Sequence, residues 1–324
     1  MTLTNDKLQL MINRRSFLRK SVFAAGSLIA FPAIEIPGYA ANGIKISLAE
    51  WSLNRALYSG KIDHLDFPRI AAKEFGITNV EYVNGFFGGK KMTFKEAGKD
   101  RAYLNELLTR SKDAGVFNHL IMVDDEGPLS SANAKERLDG VENHKKWIDA
   151  ARLLGCLSIR VNLHGEGSPE ERKKASVDSL GRLGEYASPM EINVLVENHG
   201  SVTSNAEWLV DVMKQVNMRN VGTLPDFGNW CLTHPWGTIQ EGCQETYDIY
   251  KGVKMLLPYA KGVSAKTYDF DPAGEQPLLD YKRLIGIVKE SGFRGYMGLE
   301  YEGIKQNDEY EGIRKTEILV KRYL

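Results

Sequence analysis

Residues 192–200 read Ile-Asn-Val-Leu-Val-Glu-Asn-His-Gly. A short apolar run stops abruptly at a carboxylate, an amide, an imidazole and a glycine. Runs of this length bounded by turn residues describe strands buried on both faces, the kind found in parallel sheets. The pattern recurs seven more times, at 44–48, 79–83, 119–123, 158–163, 221–226, 262–266 and 296–300. Most of these runs are rich in β-branched or aromatic residues. The stretches between them carry helical periodicity. Over 133–154, Leu138, Val141, Trp147, Ile148, Ala151 and Leu154 fall on one stripe, and over 282–289 Leu284, Ile285, Ile287 and Val288 do the same. Ser204 or Asn205 is placed to cap the helix that holds Trp208, Leu209 and Val212. Gly76, Gly115, Gly155 and Gly292 stand where helices should stop before a strand.

Eight strand–helix units in succession need long crossovers between parallel strands, and they close most naturally into a barrel. The alternative is an open doubly wound sheet. Its Gly-rich phosphate turn should follow the first strand, but 44–48 runs into Ala49-Glu50-Trp51-Ser52. No low-complexity linker interrupts the chain. The expectation is an α/β fold, a single-domain (β/α)8 TIM barrel over residues 43–324.

Ahead of it lies a different kind of segment. Asn13-Arg14-Arg15-Ser16-Phe17-Leu18-Arg19-Lys20 precedes an uncharged run over 21–34, then Pro37, Gly38, Tyr39 and Ala40. A basic start, a short apolar centre and small residues before a cleavage point describe an export signal. The paired arginines followed by Ser-Phe-Leu resemble a twin-arginine signal peptide over 1–40. The apolar run is short for a membrane span of roughly 20 residues, so no stable membrane span is expected after cleavage. The expected location is the periplasm.

The 42 basic and 42 acidic residues of the chain cancel. Loss of 1–40 removes five basic and two acidic residues, leaving the mature chain mildly acidic at −3. Neither that balance nor any clustered basic stretch suits a nucleic-acid surface. Self-association into a homo-oligomer is left open. The three cysteines, Cys156, Cys231 and Cys243, form no zinc or disulfide framework. A Cys231–Cys243 bridge is open in an oxidising compartment, but buried thiols are the expectation.

Barrels place their chemistry at the C-terminal ends of strands, and here most of those ends carry a carboxylate. They read Glu50-Trp51, Glu81-Tyr82-Val83-Asn84, Asp124-Asp125-Glu126, Asn162-Leu163-His164, Glu197-Asn198-His199, Asp226-Phe227-Gly228-Asn229-Trp230, Lys266-Thr267-Tyr268 and Glu300-Tyr301-Glu302. An apolar strand ending in a carboxylate must leave the charge solvated, paired or metal-bound. Glu197, Asp226 and Glu300 do so on three strands, which points to metal binding or catalysis at one mouth.

The succession Val-Glu-Asn-His, Leu-Pro-Asp-Phe-Gly-Asn and Leu-Glu-Tyr-Glu resembles the xylose-isomerase-like barrel superfamily. Its members include sugar epimerases, sugar-phosphate isomerases, inosose dehydratases and a DNA-repair endonuclease branch. The resemblance implies a divalent metal held by Glu197, Asp226 and Glu300, and it assigns the proton-transferring pair to Glu197 and Glu300. The family's fourth ligand, a histidine, falls on Ser264, a poor ligand for transition metals. Three arrangements remain open. Three carboxylates and water can hold Mg²⁺ or Mn²⁺ in preference to zinc. A displaced histidine, His199, His234 or His164, can substitute. Or Lys266 can place an ammonium where the metal would sit.

A cation beside the oxygens of a hydroxy-ketone stabilises an enediolate, and a carboxylate on each side can move a proton between faces. The expected activity is a sugar isomerase or epimerase acting on a free, keto or glycosidic sugar. Glu197, Glu300 and Lys266 are its candidate catalytic residues. Trp51, Asn162, His164, His199, Asn229, Trp230 and Tyr268 are candidate substrate contacts, and Phe86, Phe87 and Trp236 are further aromatic residues of the mouth. A 3-keto-glycoside lyase or hydrolase on the same site, and a sugar-binding barrel without catalysis, are the alternatives. An apurinic endonuclease would need a histidine-rich multi-zinc site, which six scattered histidines do not supply.

Overall fold

The structure, a computed structural model, describes residues 43–240, 242–306 and 308–324. Residues 1–40, expected to be an export signal, lie outside the described residues. Eight parallel strands form one sheet: β1 Lys45–Ala49, β2 Asn79–Val83, β3 Phe117–Val123, β4 Ser158–Val161, β5 Asn193–Glu197, β6 Val221–Leu224, β7 Gly262–Thr267 and β8 Tyr296–Tyr301. Their order is β6-β5-β4-β3-β2-β1-β8-β7. The remaining seam is closed by isolated parallel bridges, Thr223 to Ala260 and Asp226 to Ser264. Pro225 explains why β6 ends before 226. It has no N–H to give the ladder, although its carbonyl accepts from Ser264 N at 2.9 Å.

Helices cover the outside of the sheet, and local sequence sets their ends. Asn133 accepts from Lys135 N and Glu136 N to start helix Ala134–Leu154. Ser168 and Glu171 form a capping box with Pro169 in the first turn of helix Pro169–Ala187. Asn205, not Ser204, caps helix Ala206–Val216, accepting from Trp208 N at 3.1 Å. The four glycines read as helix stops all have left-handed φ between 67° and 76°. Leu138 departs from its predicted stripe. It is 39% exposed, whereas Val141, Trp147, Ile148, Ala151 and Leu154 are buried.

Two apolar regions result. The larger lies between sheet and helices and includes Trp147, Ile159, Leu180, Val194, Leu209 and Leu284. The smaller lies inside the barrel, where Ala49, Val83, Leu120, Met122, Leu195 and Leu224 meet. Side-chain alternation puts Glu81, Glu197 and Asp226 on the same inner face as those residues. The inner surface of the barrel is therefore apolar in part and strongly charged towards its mouth.

Candidate active site

Glu197, Asp226 and Glu300, from three different strand ends, each present an oxygen within 4.8 Å of the others. All three are buried. Glu197 Oε2 lies 2.9 Å from Arg160 Nε, an ion pair out of line for a hydrogen bond. Its Oε1 accepts from Asn229 Nδ2 at 3.1 Å. Asp226 is held by the turn that follows it. Gly228 N and Asn229 N donate to Oδ1 at 2.7 and 2.8 Å, and Asn198 grips the Asp226 backbone at both N–H and carbonyl. Glu300 Oε2 accepts from Ser264 Oγ at 2.7 Å. The serine in the expected histidine position thus orients a carboxylate.

Lys266 reaches into the same space. Its Nζ lies 3.7 Å from Asp226 Oδ2, 3.7 Å from Glu300 Oε1, 3.3 Å from Glu302 Oε2 and 3.1 Å from Asn229 Oδ1. Burial is the largest influence on this ammonium and opposes its charge, but Asp226, Glu300, Glu302 and Glu197 together raise its pKa well above the usual lysine value. Burial also raises Asp226, to about 6, with Lys266 opposing and Glu300 reinforcing. Glu197 is pushed well above the ordinary carboxylate range by burial, against the pull of Arg160.

The other predicted contacts divide. Asn229 touches both Glu197 and Lys266. His199 Nδ1 pairs with Asn162 Oδ1 at 2.9 Å, and Asn162 Nδ2 donates to Asp124 Oδ1 at 2.5 Å. Burial lowers both His199 and His164 below the usual imidazole value. Trp51 donates from Nε1 to Glu302 Oε1 at 2.5 Å and stacks on Phe86. Three aromatic residues are placed elsewhere. Trp230 is fully buried, stacks on Tyr247 and lies over Gly252, where a Cβ would come within 2.2 Å of its ring. Tyr268 is buried with its hydroxyl donating to Gly228 O at 2.8 Å, so it braces the Asp226 turn and offers no free face. Phe87 packs on His64 and Trp147 in the outer core.

Sequence reasoning missed Arg160 and Tyr58, and it read Asp124 and Glu302 as acidic strand ends without singling them out for the site. Arg160 Nη1 is 2.6 Å from Asp124 Oδ1, so one guanidinium joins Asp124 to Glu197. The signal was present: an arginine inside a short barrel strand needs a buried partner. Tyr58, 70% exposed, meets Trp51 and Phe86 at the mouth.

The expectation of free thiols at Cys231 and Cys243 is corrected. The two form a disulfide with a Cα separation of 5.8 Å, and Cys156 is the buried free thiol. The bridged loop carries Trp236 and rests on the start of the segment after β5. Gly200, at φ 91°, has no room for a side chain, since a Cβ would lie 2.2 Å from Pro235 O.

A divalent cation fits these residues. Asp226 Oδ2 is buried without a hydrogen-bond partner, and hard carboxylate oxygens converge on it. Such donors suit Mg²⁺ or Mn²⁺. Among the described residues no histidine joins the cluster.

Comparison with known proteins places this architecture. A solved sugar phosphate isomerase/epimerase from Parabacteroides distasonis matches with a TM-score of 0.63 at 18% identity, over 90% of this chain and 99% of that one. The 3-keto-D-glucoside 4-epimerase from E. coli matches with a TM-score of 0.57 at 15% identity, over 86% of this chain and 99% of that one. At these identities the likeness is one of fold. The C-glycoside deglycosidase alpha subunit of Arthrobacter globiformis is 31% identical over 72 residues, 21% of this chain, and the match spans 20% of that protein's length. The family model described as Xylose isomerase-like TIM barrel matches residues 70–318, and the chain belongs to that family.

Proposed function

We propose that this protein enolises a sugar bearing a carbonyl next to a hydroxyl-bearing carbon, as an isomerase or epimerase. The observation that carries the reading is the buried convergence of Glu197, Asp226 and Glu300, with Lys266 beside Asp226 and Glu300. In the mechanism, Glu197 takes a proton from the carbon beside the carbonyl. Arg160 and Asn229 fix the orientation of its two oxygens. The Lys266 ammonium neutralises charge developing on the substrate oxygen, in a site where burial strengthens the interaction. Glu300, oriented by Ser264, returns a proton. Return to the opposite face inverts the centre; return to the former carbonyl carbon, with the hydroxyl proton passing to the former carbonyl oxygen, moves the carbonyl. A divalent cation held by Glu197, Asp226 and Glu300 would supply Lewis-acid polarisation of the carbonyl.

The local similarity to a C-glycoside deglycosidase alpha subunit favours a second reading, on the same residues. If the carbon next to the proton-bearing one carries a glycosidic oxygen, the enolate forms a carbon–carbon double bond and expels that oxygen, which takes a proton from Glu300 and leaves as an alcohol, so a 3-keto-glycoside is cleaved. We further propose that the protein works in the periplasm. The Arg14-Arg15 leader and the Cys231–Cys243 bridge support that location.

The test is solvent hydrogen exchange. Purified protein with Mn²⁺ or Mg²⁺ should introduce deuterium from D₂O into keto-sugars, read by NMR. Glu197→Gln and Glu300→Gln should each lower the rate by about 10²–10⁴-fold while keeping the wild-type circular dichroism. Full exchange in both variants, or none in the wild type across free and 3-keto sugars, would overturn the reading.

A further inference from the structure

On the β3–β4 side of the mouth lies a cavity of about 280 Å³. Asp124, Glu126, His144, Asn162, His164 and Trp236 are among its walls. It is separated from the carboxylate centre by single side chains. Arg160 spans from Asp124 to Glu197, and Asn162 spans from Asp124 to His199. Asp124 and Asn162 thus line the cavity and join it, through Arg160 and His199, to the side where a molecule would react over Glu197.

Three observations define what the cavity takes. First, Trp236 is 46% exposed and stands edge-on to His164 at 4.8 Å. A large aromatic face left partly in water at a pocket wall is a platform for a flat apolar surface, such as the C–H face of a sugar ring. The loop holding it is fixed by the disulfide and by Cys231 N donating to Gly237 O at 2.8 Å. Second, Glu126 is buried, with Oε1 occupied by Lys146 Nζ at 2.6 Å and Trp147 Nε1 at 2.8 Å, while Oε2 has no partner. His164 Nε2 is also buried and unpartnered. A buried carboxylate oxygen left unsatisfied is costly, and a hydroxyl donor satisfies it. Third, Asp124, Asp125 and Glu126 line the cavity, so a phosphate or carboxylate would be repelled.

We infer that this cavity is a second subsite for a neutral sugar ring, so that the substrate is a disaccharide-like glycoside rather than a monosaccharide. Its second ring stacks on Trp236 and donates hydroxyls to Glu126 and Asp124, while the ring to be enolised lies over Glu197, Asp226 and Glu300. The inference rests on the proposed enolisation for its kinetics, but its binding component is tested separately.

The kinetic experiment compares deuterium exchange into a 3-keto-disaccharide and into 3-keto-glucose. Wild type should favour the disaccharide by about tenfold in kcat/KM. Trp236→Ala should lose that preference through a higher KM for the disaccharide, and Trp236→Phe, which keeps an aromatic face, should recover much of it. Equal use of both sugars by wild type, or an equal loss on both in Trp236→Ala, overturns the subsite. So does a Trp236-dependent preference for a 3-keto aryl glucoside over the disaccharide, which would assign the cavity to an aromatic group. If no sugar exchanges deuterium, the enolisation reading fails, and calorimetry with cellobiose and glucose still decides the subsite. Tighter cellobiose binding that disappears in Trp236→Ala supports it. Equal binding, or none, overturns it.

Discussion

Glu81 illustrates how a barrel interior sets the chemistry of one residue. It faces inward from β2, accepts from Ser47 Oγ at 2.5 Å and leaves Oε2 unpartnered. It also fills the space that a side chain on β8 would need, because a Cβ at Gly298 would lie 2.7 Å from its carboxylate. Burial, reinforced by the charge of Glu300 and opposed by the Ser47 bond and Arg160, raises its pKa from 4.5 to about 7. The folded state therefore holds a proton that the unfolded chain releases between these values. Stability contributed by this proton is full below pH 4.5 and is lost as pH rises to about 7. At about 1.4 kcal/mol per tenfold in proton affinity, the loss is about 3 kcal/mol. Glu81→Gln, neutral throughout, should remove that penalty. Urea denaturation at pH 5 and pH 8 should show the variant gaining on wild type by up to about 3 kcal/mol at the higher pH. Parallel pH profiles for the two proteins would contradict the assignment.

Among elements, the loop after β6 departs most from what its sequence suggested. Its cysteines are 12 residues apart, a spacing with no diagnostic value alone, and only the turn geometry brings them together. Closing a loop of this size removes unfolded-state freedom worth about 3 kcal/mol. Protein secreted into an oxidising compartment should contain one reactive thiol under denaturing conditions, Cys156, and three after reduction. Three thiols before reduction would refute the bridge. The strands themselves were legible, because apolar runs broken by turn residues need no long-range information. Their acidic tips were legible for the same reason, and Glu197, Asp226 and Glu300 do meet. Hidden from the sequence was the direction in which aromatic residues turn after a strand. Trp230 follows Asn229, which reaches into the site, yet it packs outward over Gly252. Leu138 fits a helical stripe by spacing but sits at its exposed edge, since periodicity fixes a face and not the width of what covers it.

At the scale of the whole molecule, the barrel gathers more negative than positive charge at its mouth. Glu197, Asp226, Glu300 and Glu302, with Asp124 beside them, surround Arg160 and Lys266. Arg160 is committed to Asp124 and Glu197, and Lys266 stands 3.7 Å from each of Asp226 and Glu300, beyond hydrogen-bond range. Burying like charges without compensation is costly, and a divalent cation among the three converging oxygens would offset that cost. Binding to the folded state alone stabilises by about 2.7 kcal/mol when the ion is at 100 times its Kd. Chelator-treated protein should therefore melt several degrees higher after Mn²⁺ or Mg²⁺ is added, with one ion bound per chain by elemental analysis. Asp226→Asn should abolish both the shift and the bound ion. A wild-type melting temperature indifferent to both ions, together with metal-free protein that still exchanges substrate hydrogen, would remove the metal and leave Lys266 as the charge that stabilises the enolate.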